Sequence, residues 1–308
     1  MRLGSLRKAY AAAVLKSYSR LRPNYEVYSQ AECLSCRRYA TGLRDGAAIM
    51  LARQQCRAGS EQQEMQTIGL IGGMSWESTA VYYRRLNEQV RSRLGGLHSA
   101  EILMRSVDFD GIVTLQKQGR WDEACEVLAS IARGLQDGGA GCLLICTNTM
   151  HKLADDVQRA VSIPLLHIAD VTANAIRAGG CKRPLLLATR YTMEQDFYVQ
   201  RLRGHFALDP IIPDGDDRGT VHDIIFDELC QGVVSDGSRN LYLDVIARGK
   251  LCGADSVILG CTEICLLVGP QHIDLPVFDS TLLHADAAVE FSMTKPGPRP
   301  RAAQGVPS

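Results

Sequence analysis

Two short polar clusters stand where apolar runs end. Thr147-Asn148-Thr149 follows the run CLLIC at 142–146, and Cys261-Thr262-Glu263 follows SVILG at 256–260. Aligned through Ala140 and Ala254, the two segments keep a constant separation of 114 residues, so Thr147 corresponds to Cys261. In open parallel sheets ligands bind beyond the carboxyl ends of the strands. Two such clusters would then face one ligand from two sides. Matched proton-handling groups on opposite sides of a ligand suit stereoinversion at a carbon acid: one removes the α-proton, and the other delivers a proton to the opposite face. A cysteine fits the base role, because its reference pKa of about 8.5 falls beside cations or helix N-termini. Threonine can hold and deliver a proton but is a poor base. Asn148 and Thr149 read as holders of a carboxylate or as plain helix caps. Thr262 and Glu263 follow by the repeat, with Glu263 either orienting a neighbour or acting as a first-turn acid. Met74, after Gly72-Gly73, either brings its backbone near a ligand or fills core. His151 and His167 read as structural groups, while Arg190, Tyr191 and Thr192 end a strand that opens on the same cleft.

The elements that would position these clusters are legible from periodicity. Short apolar runs at 67–71, 101–107, 142–146, 164–168, 184–188, 209–212, 256–260 and 276–278 read as strands. Helical patterns lie between them at 77–93, 121–136, 152–161, 169–178, 193–206, 221–231, 240–251 and 282–291. Runs such as CLLIC lack polar alternation, so both faces are buried, as in parallel sheets covered by helices. Strand alternating with helix predicts a doubly wound α/β class. The repeat extends beyond the polar clusters: Ile163-Pro164-Leu165 matches Leu275-Pro276-Val277. The expectation is two pseudo-symmetric Rossmann-like halves, 66–170 and 171–292, with the site in the cleft between them and a possible strand exchange from the C-terminus.

The charge is unevenly distributed. The chain has 308 residues, 34 basic and 34 acidic. Residues 1–64 carry a net +6, residues 294–308 a net +3, and the body between them −9. Residues 1–64 read as a basic extension, disordered or transit-like, and 293–308 as a disordered proline-rich tail. The zero total argues against a nucleic-acid partner, and no apolar run reaches the length of a membrane span. Eleven cysteines at irregular spacing suggest a reducing compartment, hence a cytoplasmic location, or an organellar one if the extension is a transit peptide. The lone Cys33-x-x-Cys36 pair cannot complete a zinc site.

With these residues in place, the chain resembles the aspartate/glutamate racemase family over about 66–292. The motifs are TIGLIGGMS at 67–75, TNTM at 147–150 and GCTE at 260–263. The strongest likeness is to a bacterial branch described as L-aspartate/glutamate-specific or broad in specificity. The resemblance implies an amino-acid substrate, no cofactor (neither pyridoxal phosphate nor metal), and a homodimer. It implies Cys261 and Thr147 as the catalytic pair. Met74, Gln116, Asn148, Thr149, Thr262 and Glu263 are then the substrate contacts. The family's usual first cluster is Cys-Asn-Thr; here Thr147 takes the cysteine's place, and Cys146 should face behind the sheet because neighbouring strand residues point oppositely. The expected chemistry is asymmetric, with Cys261 taking the α-proton of L-glutamate or L-aspartate and reprotonation coming from the Thr147 side. Where aspartate-selective relatives carry a lysine, this chain has Cys230, so broader substrate use stays open. The alternatives are a non-catalytic paralogue, or other enolate chemistry such as decarboxylation or cis-trans isomerisation through a single cysteine.

Overall fold

The computed structural model describes residues 65–294. The basic extension at 1–64, Cys33-x-x-Cys36 and the tail from 295 lie outside the described residues. Six parallel strands form two three-stranded sheets. The first contains β1 (Ile68–Gly72), β2 (Ile102–Ser106) and β3 (Cys142–Ile145) in the order β2-β1-β3. The second contains β4 (Pro184–Leu187), β5 (Ser256–Leu259) and β6 (Val277–Asp279) in the order β4-β5-β6. Single parallel bridges extend both, Leu143 to Leu165 in the first and Leu185 to Ile211 in the second. Counting those bridges, the two sheets share one strand order. The expected strands at 164–168 and 209–212 therefore survive only as one bridge each.

The helices in chain order are α1 (Trp76–Leu94), α2 (Phe109–Lys117), α3 (Trp121–Asp137), α4 (Ala154–Arg159), α5 (Ile168–Ala178), α6 (Arg190–Glu194), α7 (Asp196–Phe206), α8 (Gly215–Asp223), α9 (Asp236–Leu251), α10 (Ile264–Leu267) and α11 (Ser280–Ser292). β1 and β3 are buried at every position because helices cover both faces. Leu143 and Ile145 pack with Leu128 and Leu135 of α3 on one face. Leu144 and Cys146 pack with Tyr82 and Leu86 of α1 and Ala285 and Val289 of α11 on the other. Each such fully buried Leu or Ile contributes about 1.5–3 kcal/mol. The C-terminal α11 thus covers the first sheet, and its last turn is tied to the segment before β1 by Gln66 N–H donating to Ser292 C=O at 2.8 Å.

Three helical patterns resolve differently from the sequence reading. The stretch expected at 193–206 breaks at Gln195, whose backbone is extended, into α6 and α7. The stretch expected at 152–161 begins as a tight 3-10 turn over Thr149–Leu153 before α4. The stretch expected at 221–231 is the end of α8, then a π turn at Ile224–Glu228 and a 3-10 turn at Leu229–Gln231. Helix α2 was absent from the sequence reading because Gly111 interrupts a short amphipathic pattern; Asp108 caps it by accepting from Asp110 N–H at 3.3 Å.

Behind the strand ends lies a buried group of three histidines and a tyrosine. Ile168 N–H donates to His151 Nε2 at 3.2 Å, which leaves Nδ1–H to donate to the Thr147 carbonyl at 2.8 Å. His284 Nε2–H donates to the Leu166 carbonyl at 2.7 Å, so Nδ1 accepts from the Tyr82 hydroxyl at 2.9 Å. His167 caps α5 by accepting from Ala169 N–H at 3.2 Å. The His151 ring lies 4.7 Å from that of His167 and 5.5 Å from that of His284. Burial, with the mutual proximity of the rings and of Arg201, pushes His167 and His284 down to about 3 and also lowers His151. All three are neutral in the folded chain near pH 7, as the sequence reading of structural histidines expected for His151 and His167.

In the unfolded chain these histidines titrate near 6.5, so between about pH 6.5 and 3 the unfolded state binds more protons and folding is penalised as pH falls. Asp279, raised to about 6 by burial, opposes part of this. His167 and His284, less Asp279, give a loss of about 3 kcal/mol between pH 7 and pH 4.5, and the lowered His151 adds to it. Urea midpoints at the two pH values measure it, and an unchanged or higher midpoint at pH 4.5 would sink it.

Candidate active site

The site lies at the carboxyl ends of the two sheets. β1 ends in Gly72-Gly73. Gly73 has φ of +90°, and a Cβ there would sit 2.2 Å from the Val107 carbonyl oxygen, so only glycine fits. This turn feeds α1 directly, with Ser75 as its N-cap. β3 runs into Thr147 and the 3-10 turn, and β5 runs through Gly260 and Cys261 into the four-residue α10. The turns after β3 and β5 are therefore shorter than the helices the sequence suggested. Their first-turn N–H groups remain suited to an anion, but little helix dipole stands behind them.

All eight residues of the proposed site line one cavity: Met74, Gln116, Thr147, Asn148, Thr149, Cys261, Thr262 and Glu263. Thr147 and Cys261 enter it from equivalent strand ends. Cys146 does not: it is fully buried behind the sheet, where desolvation pushes its thiol far up. Gln116 is delivered by α2 and Cys230 by the 3-10 turn after the π turn. Sequence reasoning missed Phe109, Met150, Thr189, Ile225 and Phe226, which complete the wall. Ile225 and Phe226 lie in the π turn, whose geometry carries no periodic signal.

The polar floor is a hydrogen-bond clasp between the two halves. Glu263 is buried, and both its carboxylate oxygens are saturated. Oε1 accepts from the Ser75 and Ser78 hydroxyls at 2.8 and 2.6 Å. Oε2 accepts from the Thr262 hydroxyl at 2.7 Å and the Cys261 thiol at 2.9 Å. The Ser78 and Thr262 hydroxyls also touch each other, each giving its one proton to Glu263. Burial raises the carboxyl's pKa, but the four donors together overcome it and hold Glu263 below its ordinary value, as a carboxylate. The reverse holds at Cys261, where burial and the adjacent Glu263 charge push the thiol well up. Ser75 and Ser78 also escaped the sequence reading; their spacing of three at a helix start gave the signal, since both then face one side.

Two further contacts cross the cleft. Thr149 Oγ1 lies 3.0 Å from Thr189 Oγ1 and 3.4 Å from Thr192 Oγ1. Asn148 Nδ2 donates to Ser280 Oγ at 3.1 Å, and Ser280 in turn donates its proton to the Leu259 carbonyl at 2.8 Å. Ser280 therefore has only lone pairs to offer, which fixes the amide nitrogen towards it. Asn148 Oδ1 is left buried with no donor among the described residues. Arg190 and Tyr191, with His222, line a separate outer recess instead. Among the described residues no group of three His, Cys, Asp or Glu side chains is arranged to hold a metal ion.

Comparison with known proteins agrees with this geometry. The family model described as Asp/Glu/Hydantoin racemase matches residues 71–288. A Yersinia pestis structure described as a candidate Asp/Glu racemase is 49% identical and covers 75% of this chain and 100% of its own, with a TM-score of 0.71. An aspartate racemase homologue from Pyrococcus horikoshii is 31% identical over the same shares, with a TM-score of 0.67. The broad-specificity amino-acid racemase RacX of Bacillus subtilis is 23% identical over 226 residues, 72% of this chain and 96% of its own length. The chain belongs to the Asp/Glu/hydantoin racemase family.

Proposed function

We propose that this chain is an amino-acid racemase that moves the α-proton with its own side chains. The observation that carries the reading is the placement of Thr147 and Cys261 at equivalent strand ends on one cavity. Cys261, as thiolate, takes the α-proton of an L-amino acid. The electron pair left on Cα delocalises into the substrate carboxylate, stabilised by hydroxyls and turn N–H groups of the two clusters. The Thr147 hydroxyl gives a proton to the opposite face and regains one from its solvent side. L-glutamate and L-aspartate are the substrates the family resemblance names.

Two roles are sharper than the sequence suggested. Glu263 has no free lone-pair direction for substrate, so it acts on the reaction through Cys261, accepting the thiol proton's hydrogen bond and setting its basicity. Asn148 offers an acceptor, Oδ1, where the sequence reading had a carboxylate holder. A substrate ammonium supplies the donor that atom lacks. The same ammonium is the cation that favours a thiolate nearby.

The two catalytic roles separate in heavy water. Thr147→Ala should keep exchange of the L-substrate α-proton while losing inversion, and Cys261→Ala should lose both, by roughly 10²–10⁴-fold. Full racemisation by the Cys261 variant would remove the mechanism. Because the racemisation equilibrium constant is one, asymmetry between enantiomers must appear in kcat and KM separately and cancel in kcat/KM.

The raised thiol predicts a rate that climbs with pH above neutrality, as the thiolate fraction grows. Replacing Glu263 by Gln removes the neighbouring charge that helps hold the thiol protonated, so the ascending limb of kcat should move to lower pH. A limb that stays in place in Glu263→Gln would break the link between the two residues.

A further inference from the structure

We propose that the cavity is shaped for an amino acid whose side chain carries no charge, and that the uncharged side chain at position 230 decides this. The proposal rests on the racemase reading and narrows it. Beyond the proton-handling pair, the wall is Phe109, Gln116, Ile225, Phe226 and Cys230. Among the described residues no lysine or arginine lines the cavity.

The basic side chains of this region stand elsewhere. Lys117 follows Gln116 on α2, and successive helix residues diverge by about 100°. Gln116 lines both the cavity and an adjoining outer recess, whereas Lys117 is exposed and lines only that recess, together with Asp223 and Asp227. Arg190 lines another recess and lies 3.9 Å from Glu194. The charge the cavity does contain is negative: the Glu263 carboxylate, with its four donors already committed to it.

An acidic substrate would bring a second carboxylate besides its α-carboxylate into this space. It would be desolvated without a cationic partner and repelled by Glu263. An amide or apolar side chain has no such penalty. Gln116 also makes no side-chain hydrogen bond to another described residue, so its amide can both donate to and accept from a neutral polar group. Burial holds the Cys230 thiol neutral, up to about 12.

Isosteric substrates isolate the charge. With the full chain, kcat/KM for racemisation of L-glutamine should exceed that for L-glutamate by at least about tenfold, and L-asparagine should exceed L-aspartate likewise. Cys230→Lys should raise kcat/KM for L-glutamate relative to L-glutamine, and Cys230→Met, similar in length but uncharged, should not. L-glutamate equal to or better than L-glutamine with the unaltered chain overturns the proposal, whatever the variants do. Exchange of the α-proton in heavy water separates this from the parent reading. Exchange that favours the acids over the amides overturns the specificity alone, and no exchange with any of the twenty amino acids overturns both.

Discussion

The site depends on one buried carboxylate. Glu263 sits at the start of the turn after β5, yet two of its four hydrogen-bond donors come from Ser75 and Ser78 at the start of α1 in the other half. A buried ionised carboxylate is tolerated only when its lone pairs are satisfied. Here that requirement can be met only if both halves are in register across the cleft. The same four bonds bring the Cys261 thiol to the carboxylate, so the constraint that closes the cleft also sets the protonation of the proposed base. Thr149 with Thr189 and Thr192, and Asn148 with Ser280, repeat the pattern on a smaller scale.

Much of the framework was legible because burial on both faces leaves an unmistakable trace. CLLI and SVIL have no polar alternation, and both proved to be strands flanked by pairing on each side. The repeat that linked Thr147 to Cys261 corresponds to a shared strand order in the two sheets. Seven of the eight site residues fall on one cavity because strand ends in such sheets converge on one side, and α2 brings Gln116 to them. The polar clusters therefore carried position as well as chemistry.

What was not legible has local causes. The wall opposite the proton pair comes from α2, a nine-residue helix with a glycine inside it, and from a π turn that obeys neither the 3.6 nor the 2.0 period. The expected strands at 164–168 and 209–212 have strand-like residues but pair at the sheet edges through a single bridge each. Glu263 lines the cavity beside Cys261, and its bonds to Cys261 and Thr262 match the reading of a residue that orients a neighbour. Sequence spacing shows which residues share a strand end, but not that two serines nearly two hundred positions earlier saturate the carboxylate.

The return of α11 to the first sheet has a consequence for how the chain is made. Ala285, Ala288 and Val289 close the face of β1 and β3 that α1 covers only in part. Until the ribosome has released the C-terminal segment, that face stays open to water, and the half encoded first cannot finish its core. The second sheet lies wholly between these two strips of sequence, so its strands are complete before α11 is made. Vectorial synthesis thus runs against the order of completion: the amino-terminal half is begun first and finished last.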